Sequence, residues 1–154
     1  ENYMKWLGIL EFLVKLQSIV KSSRKGSVPT PNAELEHFSK EFESSLADDF
    51  NTSKALATIF ELINNLNPRA WQFSPAAAKK IAAEVRKRLK SLGFVVEFPI
   101  IPSKIKKLAD QREKLRRNQQ FMQSDSLRKK LNDLGFGIED TPLGPFVWPK
   151  GTRS

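Results

Sequence analysis

Apolar residues recur at helical spacing along most of this chain. Met4, Leu7, Leu10, Val14, Leu16 and Ile19 mark a first helix over residues 2–21, with neighbours widening the apolar face. The pattern stops in Ser-Ser-Arg-Lys-Gly-Ser-Val-Pro-Thr-Pro, a loop carrying one Gly and two Pro. Asn32 is the expected N-cap of a second helix, and Glu34 and Glu36 lie in its first turn, where the helix dipole favours acids. Leu35, Phe38, Phe42 and Leu46 form its stripe. Asp48-Asp49-Phe50-Asn51-Thr52 then breaks one helix and caps the next. A side-chain oxygen of Asp49 or Asn51 can satisfy free N–H groups there, and Phe50 is expected to be buried. Ala55, Leu56, Ile59, Phe60 and Ile63 mark a third helix to about Leu66. Ser74-Pro75 opens a fourth, because Ser caps well and Pro suits the first helical position. Ile81, Val85, Leu89 and Leu92 give its apolar stripe, and Gly93 ends it. Four helices joined by loops of these lengths predict an antiparallel four-helix bundle over residues 1–98.

Phe-Val-Val-Glu-Phe-Pro-Ile-Ile-Pro, residues 94–102, interrupts the periodicity and reads as a linker. It is apolar enough to be expected to pack. Beyond it the pattern predicts a basic helix over about 103–118, a shorter helix over about 122–134, and a β-hairpin. Ile138 and Phe146-Val147-Trp148 supply its strands and Thr141-Pro142-Leu143-Gly144 its turn. The fold class is therefore mainly α: a four-helix bundle, then a small α+β domain of two helices and a short β-hairpin over residues 99–154.

Composition narrows the chemistry. The chain has no Cys and one His, His37, so it offers neither a disulfide framework nor a thiolate or His-rich metal site. Its apolar runs fall far short of the ~18 residues a membrane span needs. Its start, Glu-Asn-Tyr-Met, has neither an initiator Met nor the shape of a signal peptide, and reads as a piece of a longer cytoplasmic protein. The net charge of +9 is unevenly spread. Residues 1–98 hold 14 Lys/Arg against 11 Asp/Glu, whereas residues 99–154 hold 12 against 6. A phosphate-rich partner accounts for such an excess, and so does a solvated surface.

Phe121, Asp125 and Arg128 fall at i, i+4 and i+7, on one face of the short second helix of the C-terminal part. A ring that stacks, an acceptor and a forked donor suit unpaired RNA bases. Taken singly, the same residues read otherwise. Asp125 and Arg128 are spaced as an ordinary surface helix pair, and Phe121 can plug a small core. Trp6, Trp71 and Trp148 read as packing residues, and His37 as a surface residue.

Two blocks resemble one family. Ser-Leu-Ala-Asp-Asp-Phe-Asn-Thr-Ser-Lys-Ala-Leu-Ala-Thr-Ile-Phe-Glu-Leu-Ile-Asn-Asn-Leu-Asn, residues 45–67, is similar to the DALR-type helical domain of cysteinyl-tRNA synthetases. From Arg112 onward, Arg-x-x-x-Arg, an aromatic, Asp, Arg, Leu, Leu-Gly, Glu-Asp and Thr-Pro-x-Gly follow in the order of the same enzymes' anticodon-binding mini-domain. The resemblance covers about residue 2 to Trp148. It implies a class I aminoacyl-tRNA synthetase, with ATP as substrate and zinc as cofactor of a catalytic domain whose signatures are absent from this sequence.

By position, the resemblance assigns Arg116, Phe121, Asp125, Arg128 and Asp140 to the G-C-A anticodon of cysteine tRNA. Phe121 would stack on a splayed base, Asp125 accept from an exocyclic amine, and Asp140 accept from guanine. Arg116 and Arg128 would donate to base acceptors or phosphate. Lys104, Lys107, Arg112 and Arg117 in the basic run are expected on phosphates, without sequence information. The implied partners are cysteine tRNA and the catalytic domain of the same chain, with no membrane, no metal and no catalytic residue in these 154 residues. The alternatives are the tRNA-binding helical domain of another class I synthetase and a non-catalytic helical interaction domain.

Overall fold

The structure, a computed structural model, describes residues 2–22 and 26–150. Six helices and two strands follow in order: α1 Asn2–Lys21, α2 Asn32–Ala47, α3 Thr52–Leu66, α4 Pro75–Ser91, α5 Ser103–Arg117, α6 Phe121–Asp133, β1 Phe136–Thr141 and β2 Gly144–Pro149. The molecule is mainly helical, with one small antiparallel sheet. It divides into two compact units, one of Gly8–Phe98 and one of Pro99–Ser154 with Glu1–Leu7.

Within the larger unit, α2 and α3 pack together as a helical hairpin. The Asn51 side chain caps α3 by accepting from the Lys54 amide at 3.0 Å, and Ser74 caps α4 by accepting from the Ala77 amide at 3.1 Å. Asn32 does not cap α2. It is the first helical residue after Pro31, and its side chain accepts from Lys80 instead. Leu16, Ala55, Ile59, Ile81 and Leu89 are fully buried, so most of the stripes read from the sequence face a core, whereas Met4, read as part of the first, is exposed.

Phe50 departs from expectation: it is 82% exposed. Asp49 and Phe50 both have φ of 52°, in the left-handed region that L side chains avoid. The Phe50 amide donates to the Leu46 carbonyl as the chain reverses, and the ring is left outside. A 3-10 helix, Asn67–Gln72, joins α3 to the segment before α4. Its Pro68 and its short i to i+3 repeat leave no amphipathic signature in the sequence. A single parallel bridge pairs Val28 with Phe73. Close to it, a Cβ at Gly26 would collide with the Phe73 carbonyl oxygen, so only glycine fits.

Arg88 on α4 is buried but not isolated. It donates to Ser39 Oγ at 2.6 Å, pairs with Glu84 and lies over the Phe42 ring. Such a group costs little only while its partners are present.

Residues 94–102 form neither helix nor strand. Ile101 packs on the core of the smaller unit, but Val95 is 73% and Ile100 91% exposed, so the segment packs only in part. In the smaller unit, α5 and α6 make a second helical hairpin, turned at Gln119 with φ of 61°. Ile105, Leu108 and Leu131 form a small core under Leu127, Phe136, Ile138 and Val147. Gly135, with φ of 89°, ends α6 and starts the strands. In the sheet Ile138 faces Val147 and Thr141 faces Gly144 across a two-residue Pro142-Leu143 turn. Thr141 Oγ1 closes it, donating to the Gly144 carbonyl and accepting from the Leu143 amide. Trp148 is buried against Phe146, with ring centroids 6.1 Å apart and nearly parallel. Among the described residues no helix is long and apolar enough to cross a membrane.

Candidate nucleic-acid interface

One carboxylate organises the smaller unit. Asp140, at the end of β1, receives Arg112 in a two-point contact, Nη1 to Oδ1 at 2.7 Å and Nη2 to Oδ2 at 3.1 Å. Arg116, one turn further along α5, reaches Oδ1 at 2.9 Å, and Arg128 of α6 reaches Oδ2 at 3.2 Å. Three elements are thus tied to a single side chain. The planar guanidinium fork suits such bidentate pairing.

Exposure differs sharply across the cluster. The Arg112 side chain is 3% exposed, Asp140 32%, Arg116 37% and Arg128 43%. Arg112 therefore anchors from below, while Arg116 and Arg128 keep open edges. Three guanidiniums against Asp140, with Glu113 also paired to Arg116, still leave the cluster net positive, and so attractive to an anion.

The Asp140 carboxyl is held below its ordinary range, first by the hydrogen bond from Arg112. Burial opposes this, and the charges of Arg112, Arg116 and Arg128 reinforce it. A lowered folded pKa means fewer bound protons than in the unfolded chain. The stability it contributes is complete above the unfolded value of about 3.9 and is lost as pH falls through the lowered value. Urea titrations in this acid window should show the contribution fading for the native chain and absent in Asp140→Asn. Parallel pH curves for the two would contradict the coupling.

Phe121 is the first residue of α6 and 58% exposed. No side chain caps that helix start, but Ser124 Oγ donates to the Phe121 carbonyl at 3.0 Å and braces the first turn. Asp125 is exposed on the next turn, and among the described residues it makes no side-chain hydrogen bond or ion pair. Ser124 and Leu131 define the buried line of α6. Phe121, Asp125 and Arg128 lie together to one side of that line. The ordinary helix pair between Asp125 and Arg128 does not form, because Arg128 turns to Asp140.

The basic run divides. Lys104 and Lys107 are exposed on α5, and Arg117 is 74% exposed while bonded to Glu113 at 3.2 Å. Arg112, expected on a phosphate, is instead buried with its fork on Asp140. It continues the inward stripe of Ile105, Leu108 and Ala109, which was the signal available in the sequence. Asp140, expected as an acceptor for guanine, already takes three arginines. Among the described residues no group of three or more His, Asp or Glu side chains could hold a metal ion.

Comparison with known proteins gives a consistent picture. The DALR domain model matches residues 41–97. A cysteine–tRNA ligase from Yersinia pseudotuberculosis serotype IB (strain PB1/+) is 31% identical over 144 residues, covering 86% of this chain and 30% of that protein. Cysteine–tRNA ligases from Chlamydia abortus (strain DSM 27085 / S26/3) and Chlamydia caviae (strain ATCC VR-813 / DSM 19441 / 03DC25 / GPIC) are 31% and 33% identical over 117 residues, covering 73% of this chain and 24% of theirs. The chain thus spans less than a third of the length of these relatives.

Proposed function

We propose that this chain, a relative of the cysteine–tRNA ligases over most of its length and the bearer of a DALR domain, is the part of such an enzyme that binds cysteine tRNA and reads its G-C-A anticodon. Residues 1–98 act as an antiparallel four-helix bundle along the anticodon stem, and residues 99–154 as the mini-domain that grips the loop. Cysteinylation, with ATP as substrate and zinc as cofactor, is assigned to a catalytic domain outside these residues, in the cytoplasm. Remote contacts of this kind position the acceptor end and discriminate among tRNAs.

The observation that supports the reading best is Phe121, a large ring left 58% exposed on the same side of α6 as Asp125 and Arg128. A ring in that position offers a stacking platform. Asp125 offers an unengaged acceptor, and Arg116 and Arg128 offer donors whose outer edges remain open. Asp140 acts by aiming those arginines, because its own oxygens are already occupied. Lys104, Lys107 and Arg117 supply salt-dependent attraction to phosphates.

Binding of a stem–loop RNA with G-C-A at its tip tests this. Asp125→Ala and Arg128→Ala should each relax discrimination at one triplet position by about 1–3 kcal/mol, the usual worth of a base-edge contact. Binding to hairpins of other triplets should change little. Equal affinity of the native chain for every triplet would reduce the interface to charge alone.

A further inference from the structure

A groove lies on the other side of α6's buried line, away from the Asp140 cluster. It is about 660 Å3 in volume and is floored by Leu115 and Leu127. Its polar groups are mainly side-chain amides, those of Gln111, Asn118, Gln120 and Gln123, with the Lys114 ammonium and the Ser126 hydroxyl beside them. No carboxylate lines it. Among the described residues none of the four amides is spent on a side-chain hydrogen bond, whereas nearby Glu113 holds both Arg116 and Arg117. Three of the chain's six Gln residues meet here.

An amide presents a donor and an acceptor side by side. That matches the N6 amine and N7 of adenine, where an arginine fork would match guanine. A leucine floor suits the flat face of a base, and a lone ammonium suits one phosphate. We propose that this groove is a second nucleotide site, taking an unpaired adenine-type base with its phosphate on Lys114. In an RNA loop that begins on Phe121, it would hold a nucleotide flanking the triplet. Only this origin of the base rests on the RNA reading; the groove's chemistry does not.

Two probes separate the two ideas. Adenosine monophosphate added to the whole chain should shift the side-chain amide signals of Gln111 and Gln123 in NMR spectra, and ribose 5-phosphate should not. In the G-C-A hairpin, an abasic substitution at one purine beside the triplet should weaken binding about tenfold. The double variant Gln111→Ala/Gln123→Ala should bind the intact hairpin about tenfold more weakly and become indifferent to that abasic site. Both positions are exposed, so the variant should melt with the native chain. Equal shifts with both small probes, or none with either, overturn the site. So does a double variant that keeps the abasic penalty. Amide shifts with adenosine monophosphate but no selectivity for G-C-A hairpins would keep the groove and discard the anticodon reading.

Discussion

Asp140→Ala is expected to lower the stability of the smaller unit by about 2–3 kcal/mol, somewhat less than the roughly 3–5 kcal/mol that breaking a fully buried ion pair costs, because the carboxylate is 32% exposed. The loss comes mainly from Arg112. Its side chain is 3% exposed, and without Asp140 its guanidinium would stand in a small apolar core with no counter-charge. Its Nε already lacks a partner among the described residues, which leaves no local reserve. Arg116 and Arg128 would also repel each other. A double variant, Asp140→Leu with Arg112→Met, should regain much of the stability, because an apolar pair of similar size avoids the desolvation cost. It should not regain hairpin selectivity, since Arg116 and Arg128 are no longer aimed. Urea unfolding followed by circular dichroism reads the first effect and hairpin binding the second. An Asp140→Ala protein within about 0.5 kcal/mol of the native chain would mean the cluster is only decorative.

Phe121→Ala should do the reverse. The ring is 58% exposed, so stability should change by no more than about 0.5 kcal/mol. Hairpin affinity should fall by about 1–3 kcal/mol, the worth of one base stacked on an aromatic ring. Phe121→Trp should preserve binding, because a larger flat ring still stacks, whereas Phe121→Leu should not. Calorimetric titration with the G-C-A hairpin measures all three. Leu binding as well as Phe would point to simple apolar burial.

Much of the architecture was legible because helices with one wet face print a period on the chain. The caps at Asn51 and Ser74 were readable for the same local reason, a short polar side chain directly before an apolar stripe. What escaped depends on distant or unusual geometry. The partner of Arg112 lies 28 residues away, so within its own basic run it looks like one more solvated cation. Arg128 had a plausible neighbour at i−3 and chose Asp140 12 residues on. Phe50 reads from the sequence as a ring that can be buried. Two successive left-handed residues turn it out, and nothing in Asp48-Asp49-Phe50 announces that conformation. The exposure of Phe121 was to be expected only from the family resemblance taken together with Asp125 and Arg128 on its face.

The two-stranded hairpin carries a consequence for how this surface can evolve. A hairpin of six-residue strands is too small to persist alone, and here it is fastened to the helices at the residue that also aims Arg116 and Arg128. Shape and vocabulary therefore hang on one peg. On the anticodon reading proposed above, a lineage drifting toward a different triplet has little freedom to begin at this position, where the first step loses the scaffold. On the reading proposed above, retuning has to start at Asp125, which makes no contact with Asp140, because replacing Arg128 would untie α6 from the peg.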